Sequence, residues 1–313
     1  MSQDLLMEYK KFSVILIIRD DINLLTCCLA SLNRLDYPRE HFEVIVVDDG
    51  SDKPVFDKID LDLGFQFHPH YIPRTTTSSR SKARNKGAEL ANHEHLVFID
   101  GDHFVEKSLL SVYNNYFQLK PKKEVVLGKR RHIAFERWPV IQNKILHNEE
   151  YLPSKIRNTL YLEDERTLLL QKSTSHFQEF RGRWHLFWTC NFCILKSTLS
   201  KVGNFDEHFI GWGMEDVELG YRLFTHHIEY EIIDNHIWHF LPENTITEEK
   251  YVSWVANLQY FFSKYGDTRI LAQHSFENIF FYAATKDESI NYDWHDAFVE
   301  FEKKIRLIEK HQC

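Results

Sequence analysis

The clearest structural pattern in the chain is the stretch FEVIVVDDGS at residues 42–51. Its largely apolar beginning does not alternate with polar residues, which is typical of a strand that is covered on both faces. The apolar run stops abruptly at Asp48, Asp49 and Gly50. The pattern therefore predicts a buried strand of a parallel sheet with acidic residues at its carboxyl end.

Two other stretches repeat this pattern, FSVILII at residues 12–18 and HLVFI at residues 95–99, and an Asp-Gly-Asp triplet follows the second at 100–102. A strand near residues 65–72 and a helix over 81–91 lie between them, which predicts an α/β fold with a mainly parallel central sheet flanked by helices. The first helix has one apolar face at helical spacing, formed by Leu25, Cys28, Leu29 and Leu32. Because open α/β sheets bind ligands at the carboxyl ends of their strands, we expect the acidic residues to converge on one crevice.

The second half of the chain contains further strand and helix patterns. Strands are predicted near residues 125–128, 188–196 and 230–240, and a helical fragment at 157–172 lies inside a charged, irregular stretch. We interpret that stretch, residues 134–183, as a variable insertion that is able to cover the site.

Two helical patterns follow Pro242, and an apolar stripe runs along the last one, formed by Phe298, Phe301, Ile305 and Ile308. A length of 313 residues would allow two average domains. We predict instead one α/β domain over residues 1–240, with a donor half at about 1–130 and an acceptor half at about 185–240. A helical C-terminal extension is predicted over residues 241–313.

The composition favours a globular protein that acts on a small molecule. The chain is 43% hydrophobic and 27% charged, which is near the usual globular balance. Its formal net charge of −8 argues against nucleic acid or an anionic membrane as the main partner, since either calls for a basic patch. No long apolar segment lies near the N-terminus, and the run at residues 12–18 is far shorter than the roughly 20 residues that cross a bilayer. We therefore expect a cytoplasmic protein without a transmembrane segment.

The five cysteines do not predict a disulfide framework, because their number is odd and the chain is long. Cys190 and Cys193 form one C-x-x-C, but no second pair and no H-x-H partner lies nearby in the sequence. A structural zinc site is therefore not expected.

Five segments of the chain, read in order, resemble the family 2 glycosyltransferases of the GT-A fold. These segments are FSVILII, VVDDGS, RSKARNKGAELA, VFIDGD and GNFDEHFIGWGMEDVELGYRL, and they cover roughly residues 12–240. The last one is similar to the acceptor-side segment shared by galactosyltransferases and polypeptide N-acetylgalactosaminyltransferases. The resemblance implies an enzyme that transfers a sugar from a nucleotide diphosphate sugar to an acceptor hydroxyl.

The Asp-Gly-Asp triplet matches the D-x-D element of such enzymes. Two carboxylates on either side of a flexible glycine at a strand end are able to bind a hard divalent cation, which in turn bridges the two phosphates of the donor. The resemblance implies that Asp102 contacts the metal directly, whereas Asp100 reaches the ribose or contacts the metal through water. In isolation the same triplet is also typical of a solvated turn.

A histidine is implied as the third protein ligand, because related enzymes return a histidine to the cation from the strand after the acceptor helix. His239 is preferred, and His236, three residues earlier, remains the alternative. Oxygen ligands together with an imidazole suit manganese better than calcium. We therefore expect Mn²⁺ or Mg²⁺ as the cofactor.

The donor site is predicted from residues of the first half. Asp49 resembles the residue that binds uracil in enzymes that use uridine diphosphate sugars, although an ordinary Asp-Gly turn is the alternative. The chain departs from the family at residues 17–20, where IIRD replaces the usual polar Thr-x-Tyr-Asn, and this leaves the base open. Arg80, Lys82 and Arg84 offer cations suited to diphosphate oxygens, unless they form a solvated basic face.

The segment GWGMED at residues 211–216 is the most specific element. Inversion needs a carboxylate that removes the proton of the acceptor hydroxyl as it attacks. Asp216 resembles that catalytic base, Glu215 an acceptor-hydroxyl ligand, and Trp212 a platform for a sugar face or a wall of the donor pocket. Alternatively, Glu215, Asp216 and Glu218 are acidic residues that the helix dipole favours at a helix N-terminus.

The sequence therefore predicts a metal-dependent, inverting glycosyltransferase that uses a nucleotide sugar, with uridine diphosphate as the preferred carrier. The acceptor is a glycan, a peptide or a small molecule. Two alternatives remain, a retaining enzyme of the N-acetylgalactosaminyltransferase type and a catalytically inactive partner protein that binds a sugar or nucleotide sugar.

Overall fold

The structure is a computed structural model that describes residues 8–133, 138–147, 161–163, 166, 182–240, 246–285 and 294–311. Its first half alternates strands and helices, which are β1 (Phe12–Ile18), α1 (Ile22–Leu32), β2 (Phe42–Asp48), β3 (Gln66–Tyr71), α2 (Arg80–Leu90) and β4 (His95–Asp100). The strands β3, β2, β1 and β4 lie side by side in this order and are parallel. The predicted α/β fold is therefore confirmed.

The second half completes the sheet with strands of both directions. They are β5 (His103–Val105), β6 (Val125–Ile133), β7 (Tyr161–Glu163), β8 (Asn191–Leu195) and β9 (Ile232–Phe240). The strand order is β3-β2-β1-β4-β8-β6-β9-β5, and β7 pairs with β6 outside this path. Strand β8 runs antiparallel to both β4 and β6, whereas β6 and β9 are parallel. Strand β9 thus lies between β6 and β5, two strands that are distant from it in sequence.

Three of the four parallel strands, β1, β2 and β4, are largely buried, as their apolar runs predict, whereas the edge strand β3 is partly exposed. Every residue of β1 and β2 is buried. Alternate residues of β1 pack into two different clusters, one on each side of the sheet. In the pairing register, Ile18 lies beside Asp48 and Ile17 lies beside Asp100, so the acidic strand ends meet at one edge of the sheet.

Part of the predicted insertion forms a strand instead of a helix. Residues 161–163, which fall inside the helix predicted at 157–172, form β7 and pair with residues 131–133 of β6. The helix prediction is wrong at these positions because the backbone groups bond to a neighbouring strand. Arg166 is buried and its Nη2 donates to the carbonyl of Gly128 at 3.1 Å. Residue 166 is helical, and the other positions of the predicted helix lie outside the described residues.

The remaining helices cover the sheet and the acceptor half. They are α3 (Leu109–Leu119), α4 (Trp138–Leu146), α5 (Lys196–Lys201), α6 (Glu215–Thr225), α7 (Glu248–Tyr265), α8 (Glu277–Thr285) and α9 (Trp294–His311), with a 3-10 helix at Thr268–Phe276. Three α-helices thus follow Pro242 where two helical patterns were predicted. Within the described ranges, none of the helices is long and apolar enough to cross a membrane.

The C-terminal helices share a core with the acceptor half. One apolar cluster combines side chains of both regions, namely Trp184, Phe209, Met214, Val217, Tyr221, Trp254, Leu258, Phe261 and Ile270. In the predicted stripe of α9, Phe301 and Ile305 are buried against Phe276 and Ile279; the side chains at 298 and 308 lie outside the described part. Burial of the cluster that contains Val217 and Trp254 holds α7 against α6.

A buried ionic network also joins α6 to α7. The side chain of Glu218 is completely buried and accepts hydrogen bonds from Arg222 Nη2 at 2.8 Å, Lys264 Nζ at 2.8 Å and Tyr265 Oη at 2.5 Å. A buried carboxylate is stable only when its lone pairs are satisfied in this way. Glu218 therefore has a structural role, which removes it from the candidates for a catalytic base.

We expect Arg222→Met to lower the free energy of unfolding by about 3 kcal/mol, because it leaves Glu218 buried with a weaker counter-charge. Urea unfolding measures this change. Lys304→Met is the matched control, since Lys304 pairs with Glu300 on the exposed surface of α9 and its loss should cost less than about 1 kcal/mol. Equal losses in the two variants would contradict the structural role of the network.

Candidate active site

A cavity of about 440 Å³ lies at the carboxyl edge of the sheet, bounded by strand ends, α6 and the C-terminal helices. Its size is within the range of small-molecule sites. Asp49 and Lys82 do not line it, whereas the other predicted site residues do, namely Arg80, Arg84, Asp100, Asp102, Trp212, Glu215, Asp216 and His239. The fold thus brings segments from both halves of the chain to one crevice.

Asp102 lies between two histidines. Its Oδ1 is 2.5 Å from His103 Nδ1, and its Oδ2 is 3.4 Å from His239 Nε2. His236, the alternative ligand, lies beside Asp234 instead, with its Nε2 3.6 Å from Asp234 Oδ1. The structure therefore places His239 next to the acidic triplet and adds His103, which the sequence analysis did not identify.

Strand pairing explains this cluster. His239 of β9 lies opposite His103 of β5 on one side and opposite His132 of β6 on the other. The Nδ1 atoms of His132 and His239 are 3.1 Å apart, so one of the two rings donates to the other. This contact orients the His239 ring and directs its Nε2 toward Asp102.

The protonation states of the cluster follow from burial and charge. Burial acts to raise the pKa of Asp102, but the charge of His103 and the hydrogen bonds with His103 and His239 outweigh it and hold that pKa well below its usual range. Burial lowers the pKa of His239 to about 4, so the ring is neutral at pH 7. Burial also acts to lower the pKa of His103, but Asp102 overcomes it and raises that pKa to about 10. An ionised carboxylate therefore lies beside an imidazole with an available lone pair.

The chemistry of these three groups fits a divalent cation. Within the described residues, Asp102, His103 and His239 each offer a ligand atom, and these atoms lie within 4.8 Å of one another. One carboxylate and two imidazoles form a donor set that suits manganese and other transition metals better than calcium. A bound cation would take the place of the proton on His103, because both compete for the same nitrogen.

Arg84 joins the end of β4 to the start of α6 across the cavity. Its Nη2 lies 3.0 Å from Asp100 Oδ1, and its Nη1 lies 3.0 Å from Glu215 Oε1. The guanidinium is buried, and the two carboxylates raise the pKa of Arg84 further than burial lowers it. The guanidinium therefore positions Asp100 and Glu215. Its role as a diphosphate ligand stays a prediction.

The loop before α6 is pressed against α7. Gly211 and Gly213 have φ angles of +78° and +92°, and a Cβ on Gly211 would lie 2.7 Å from the Cβ of Ser253. Asn257 of α7 donates to the carbonyls of Ile210 at 3.0 Å and Gly213 at 2.9 Å. The close approach of α7 to this loop thus depends on the missing side chain at Gly211. It holds the loop that presents Trp212 to the cavity.

Asp216 has the properties of a general base. It lies in the first turn of α6, is partly exposed on the cavity wall, and accepts the backbone N–H of Val217 at 2.8 Å. Burial raises the pKa of Asp216 to about 7, and the adjacent charge of Glu215 acts in the same direction. A carboxylate with a pKa near the working pH is suited to accept a proton and release it again.

The two acids that follow β2 have different environments. Asp48 is buried and accepts the N–H groups of Ser51 and Val55, both at 2.9 Å, so it shapes the turn. Asp49 lies outside the cavity lining, and its buried Oδ1 has no hydrogen-bond partner among the residues the structure describes. Burial raises the pKa of Asp49, although the charge of Arg80 opposes it. Asp49 is therefore a buried acceptor next to the cavity.

Two cationic side chains from different helices, Arg80 of α2 and Lys250 of α7, line the cavity. Arg80 begins α2 and makes no ion pair with any other residue in the described ranges. Lys250 belongs to the first turn of α7 and lines the cavity, and its charge interacts with those of Arg80 and Asp102. No sequence motif pointed to Lys250, because it lies beyond the segments that carry the family resemblance.

Sequence comparison identifies relatives of the chain. A family model described as glycosyltransferase like family 2 matches residues 26–266. Validoxylamine A glucosyltransferase of Streptomyces hygroscopicus subsp. jinggangensis is 32% identical over 66% of this chain and 49% of that enzyme. Hyaluronan synthase of Pasteurella multocida is 28% identical over 68% of this chain and 22% of that enzyme. The chain thus matches less than half of the length of either relative.

Structural comparison supports the fold. The crystal structure of S. aureus TarS 1-349 in complex with UDP has a TM-score of 0.54 and 16% identity, and the match covers 96% of this chain and 91% of that one. The structure of the same protein with UDP-GlcNAc has a TM-score of 0.53 and 15% identity at the same coverage. At this identity the likeness concerns the fold, which is similar to that of GT-A glycosyltransferases.

The raised pKa of Asp216 predicts an effect on stability. The folded protein binds this proton more tightly than the unfolded chain, so stability is lost as the pH rises from about 4 through about 7. Asp216→Asn removes the buried charge, and we expect the variant to exceed the wild type in unfolding free energy at pH 8 but not at pH 4. Urea unfolding in the presence of EDTA measures both. Asp234→Asn should show no such gain, because Lys129 holds the pKa of Asp234 low.

Proposed function

The chain belongs to the family described as glycosyltransferase like family 2, and on that premise we propose that it is a metal-dependent, inverting glycosyltransferase. It transfers a sugar from a uridine diphosphate sugar to an acceptor hydroxyl. The observation that carries the proposal is a single cavity that joins the group Asp102, His103 and His239 to Asp216, a carboxylate whose pKa is about 7. Metal-type ligands and a suitable base are the two things that such a transfer needs.

The nucleotide part of the donor binds beside the cavity. Asp49 supports this assignment, because its buried Oδ1 is an acceptor for which the described residues supply no donor, and the imide N–H of uracil is such a donor. Arg80 and Lys250 offer positive charge to the diphosphate. A fold similar to that of a protein solved with UDP and with UDP-GlcNAc supports the choice of uridine diphosphate.

Asp102 and His239, with His103 as a further ligand, would hold the cation, for which we propose Mn²⁺ with Mg²⁺ as the alternative. When bound, this cation neutralises the charge that develops on the leaving diphosphate. The two imidazoles favour manganese, since magnesium prefers oxygen ligands and keeps several waters.

Asp216 acts as the base. Its carboxylate accepts the proton of the acceptor hydroxyl while that oxygen forms a bond to the anomeric carbon and the bond to the diphosphate breaks, which inverts the configuration. Arg84 holds Glu215 and Asp100 on the two sides of this reaction at 3.0 Å from each carboxylate. Residues 203–223, the acceptor-side segment of galactosyltransferase type, present Trp212, Glu215 and Asp216 to the acceptor.

Asp102→Asn should abolish the manganese-dependent part of UDP binding and leave the fold intact, because it removes an anionic ligand from a partly exposed position. Titration calorimetry of UDP with and without Mn²⁺ measures this, and circular dichroism checks the fold. Asp234→Asn is the matched control, since it also removes a carboxylate beside a histidine but outside the cavity. Unchanged affinity in the Asp102 variant would remove this residue from the metal site.

Asp216→Asn should lower turnover by a factor of about 10² to 10⁴, the usual contribution of general-base catalysis, without changing UDP affinity. In the wild type, kcat/KM should rise as the pH increases toward about 7 and then level off, because only the deprotonated carboxylate accepts a proton. Glu215→Gln should instead raise KM for the acceptor. Release of UDP measures these rates, and NMR of the product gives the anomeric configuration. Near wild-type turnover of the Asn variant, or a retained configuration, would contradict the proposed mechanism.

A further inference from the structure

One wall of the cavity is aromatic, and the reaction described above does not require it. We define this aromatic wall as Trp212, Trp254, Phe276 and Phe280, all of which line the cavity. The ring of Phe280 meets Trp212 at 5.4 Å and Trp254 at 5.0 Å, edge to face in both cases. Such contacts fix the ring orientations. Trp254 and Phe276 are buried, whereas Trp212 and Phe280 are partly exposed and offer the accessible surface of the wall.

Half of this wall comes from outside the region that the family shares. The family match ends at residue 266, whereas Phe276 ends the 3-10 helix and Phe280 lies in α8. The 3-10 helix and α8 therefore bring to the cavity a surface that lies beyond the matched segment. Residues in this position are suited to determine which acceptors bind.

The chemistry next to the wall indicates what it binds. Glu215 and Asp216 lie shortly after Trp212 and line the same cavity, and their carboxylate oxygens are able to accept hydrogen bonds from hydroxyl groups. The face of a six-membered polyol ring carries weakly positive C–H groups, which match the negative face of an aromatic ring. Its rim carries hydroxyls, which match the carboxylates. The wall itself offers no positive charge to a phosphorylated acceptor, and the cavity cations Arg80 and Lys250 are assigned above to the donor diphosphate.

We propose that Phe280 is a specificity-determining residue, which with the perpendicular ring of Trp212 forms an aromatic contact surface for an uncharged six-membered polyol ring, a sugar or a cyclitol, as the acceptor. This inference rests on the proposed function, since the ring hydroxyl nearest Asp216 is the one that reacts. Phe280 acts on acceptor binding and not on the donor, because the donor groups Asp49, Arg80 and Asp102 belong to other elements.

The test uses the full chain saturated with UDP and Mn²⁺. Ligand-observed NMR titration measures the binding of methyl β-D-glucopyranoside, methyl β-D-galactopyranoside, N-acetylglucosamine and myo-inositol, and of ribitol 5-phosphate and benzyl alcohol as the competing chemistries. The variants are Phe280→Ala and Phe280→Leu, the second of which keeps apolar bulk if the first does not fold. Phe281→Ala is the matched control, because the next residue of α8 packs on Tyr251 at 5.4 Å and does not line the cavity.

We expect at least one of the four neutral rings to bind the wild type, and both Phe280 variants to bind it about tenfold more weakly. Phe281→Ala and the affinity for UDP should stay unchanged. Equal weakening by the variants at 280 and 281, unchanged binding in the Phe280 variants, or binding of no neutral ring would overturn the inference. If the wild type does not bind UDP with Mn²⁺, the proposed function fails; if it does, a negative result concerns only the aromatic wall.

Discussion

The bridge from Asp100 through Arg84 to Glu215 is the interaction on which the geometry of the site depends. Its guanidinium is buried and lies 3.0 Å from a carboxylate at each end. A buried charge is tolerated only when it is paired, so neither acid can move away without a large cost. One carboxylate ends β4 and the other begins α6, and the bridge therefore sets the distance between the end of β4 and the first turn of α6, which carries Asp216.

A second constraint is the position of β9 in the sheet. Because β9 lies between β5 and β6, His239 is flanked by His103 and His132 in one row across three strands. Neighbouring strands are about 4.8 Å apart, which brings side chains at the same register within reach of one another. Strand pairing thus brings the candidate metal ligands His103 and His239 together, and Asp102 immediately precedes His103 in the chain.

The C-terminal helices complete the site from the other side. Helix α7 supports the loop before α6 through Asn257 and receives the backbone of Gly211 against Ser253. The same helix brings Lys250 to the cavity, and α8 brings Phe280. A segment predicted as an extension therefore forms part of the cavity wall.

The order of the elements and the identity of many candidate residues follow from local sequence. The continuous apolar runs of β1, β2 and β4 are buried on both faces, and short motifs at their ends or before α6 supply Asp49, Asp102 and Asp216. These features are readable because strand burial and motif spacing involve residues close together in the chain. Contacts between residues far apart in the sequence are not readable in this way. Arg84 bonds to Glu215, which lies 131 positions later, and His132 contacts His239, which lies 107 positions later. Only the folded chain shows that Arg84 is bound to two acids, that Asp49 lies outside the cavity and that Phe280 lines it, because these outcomes depend on which strands and helices pack together.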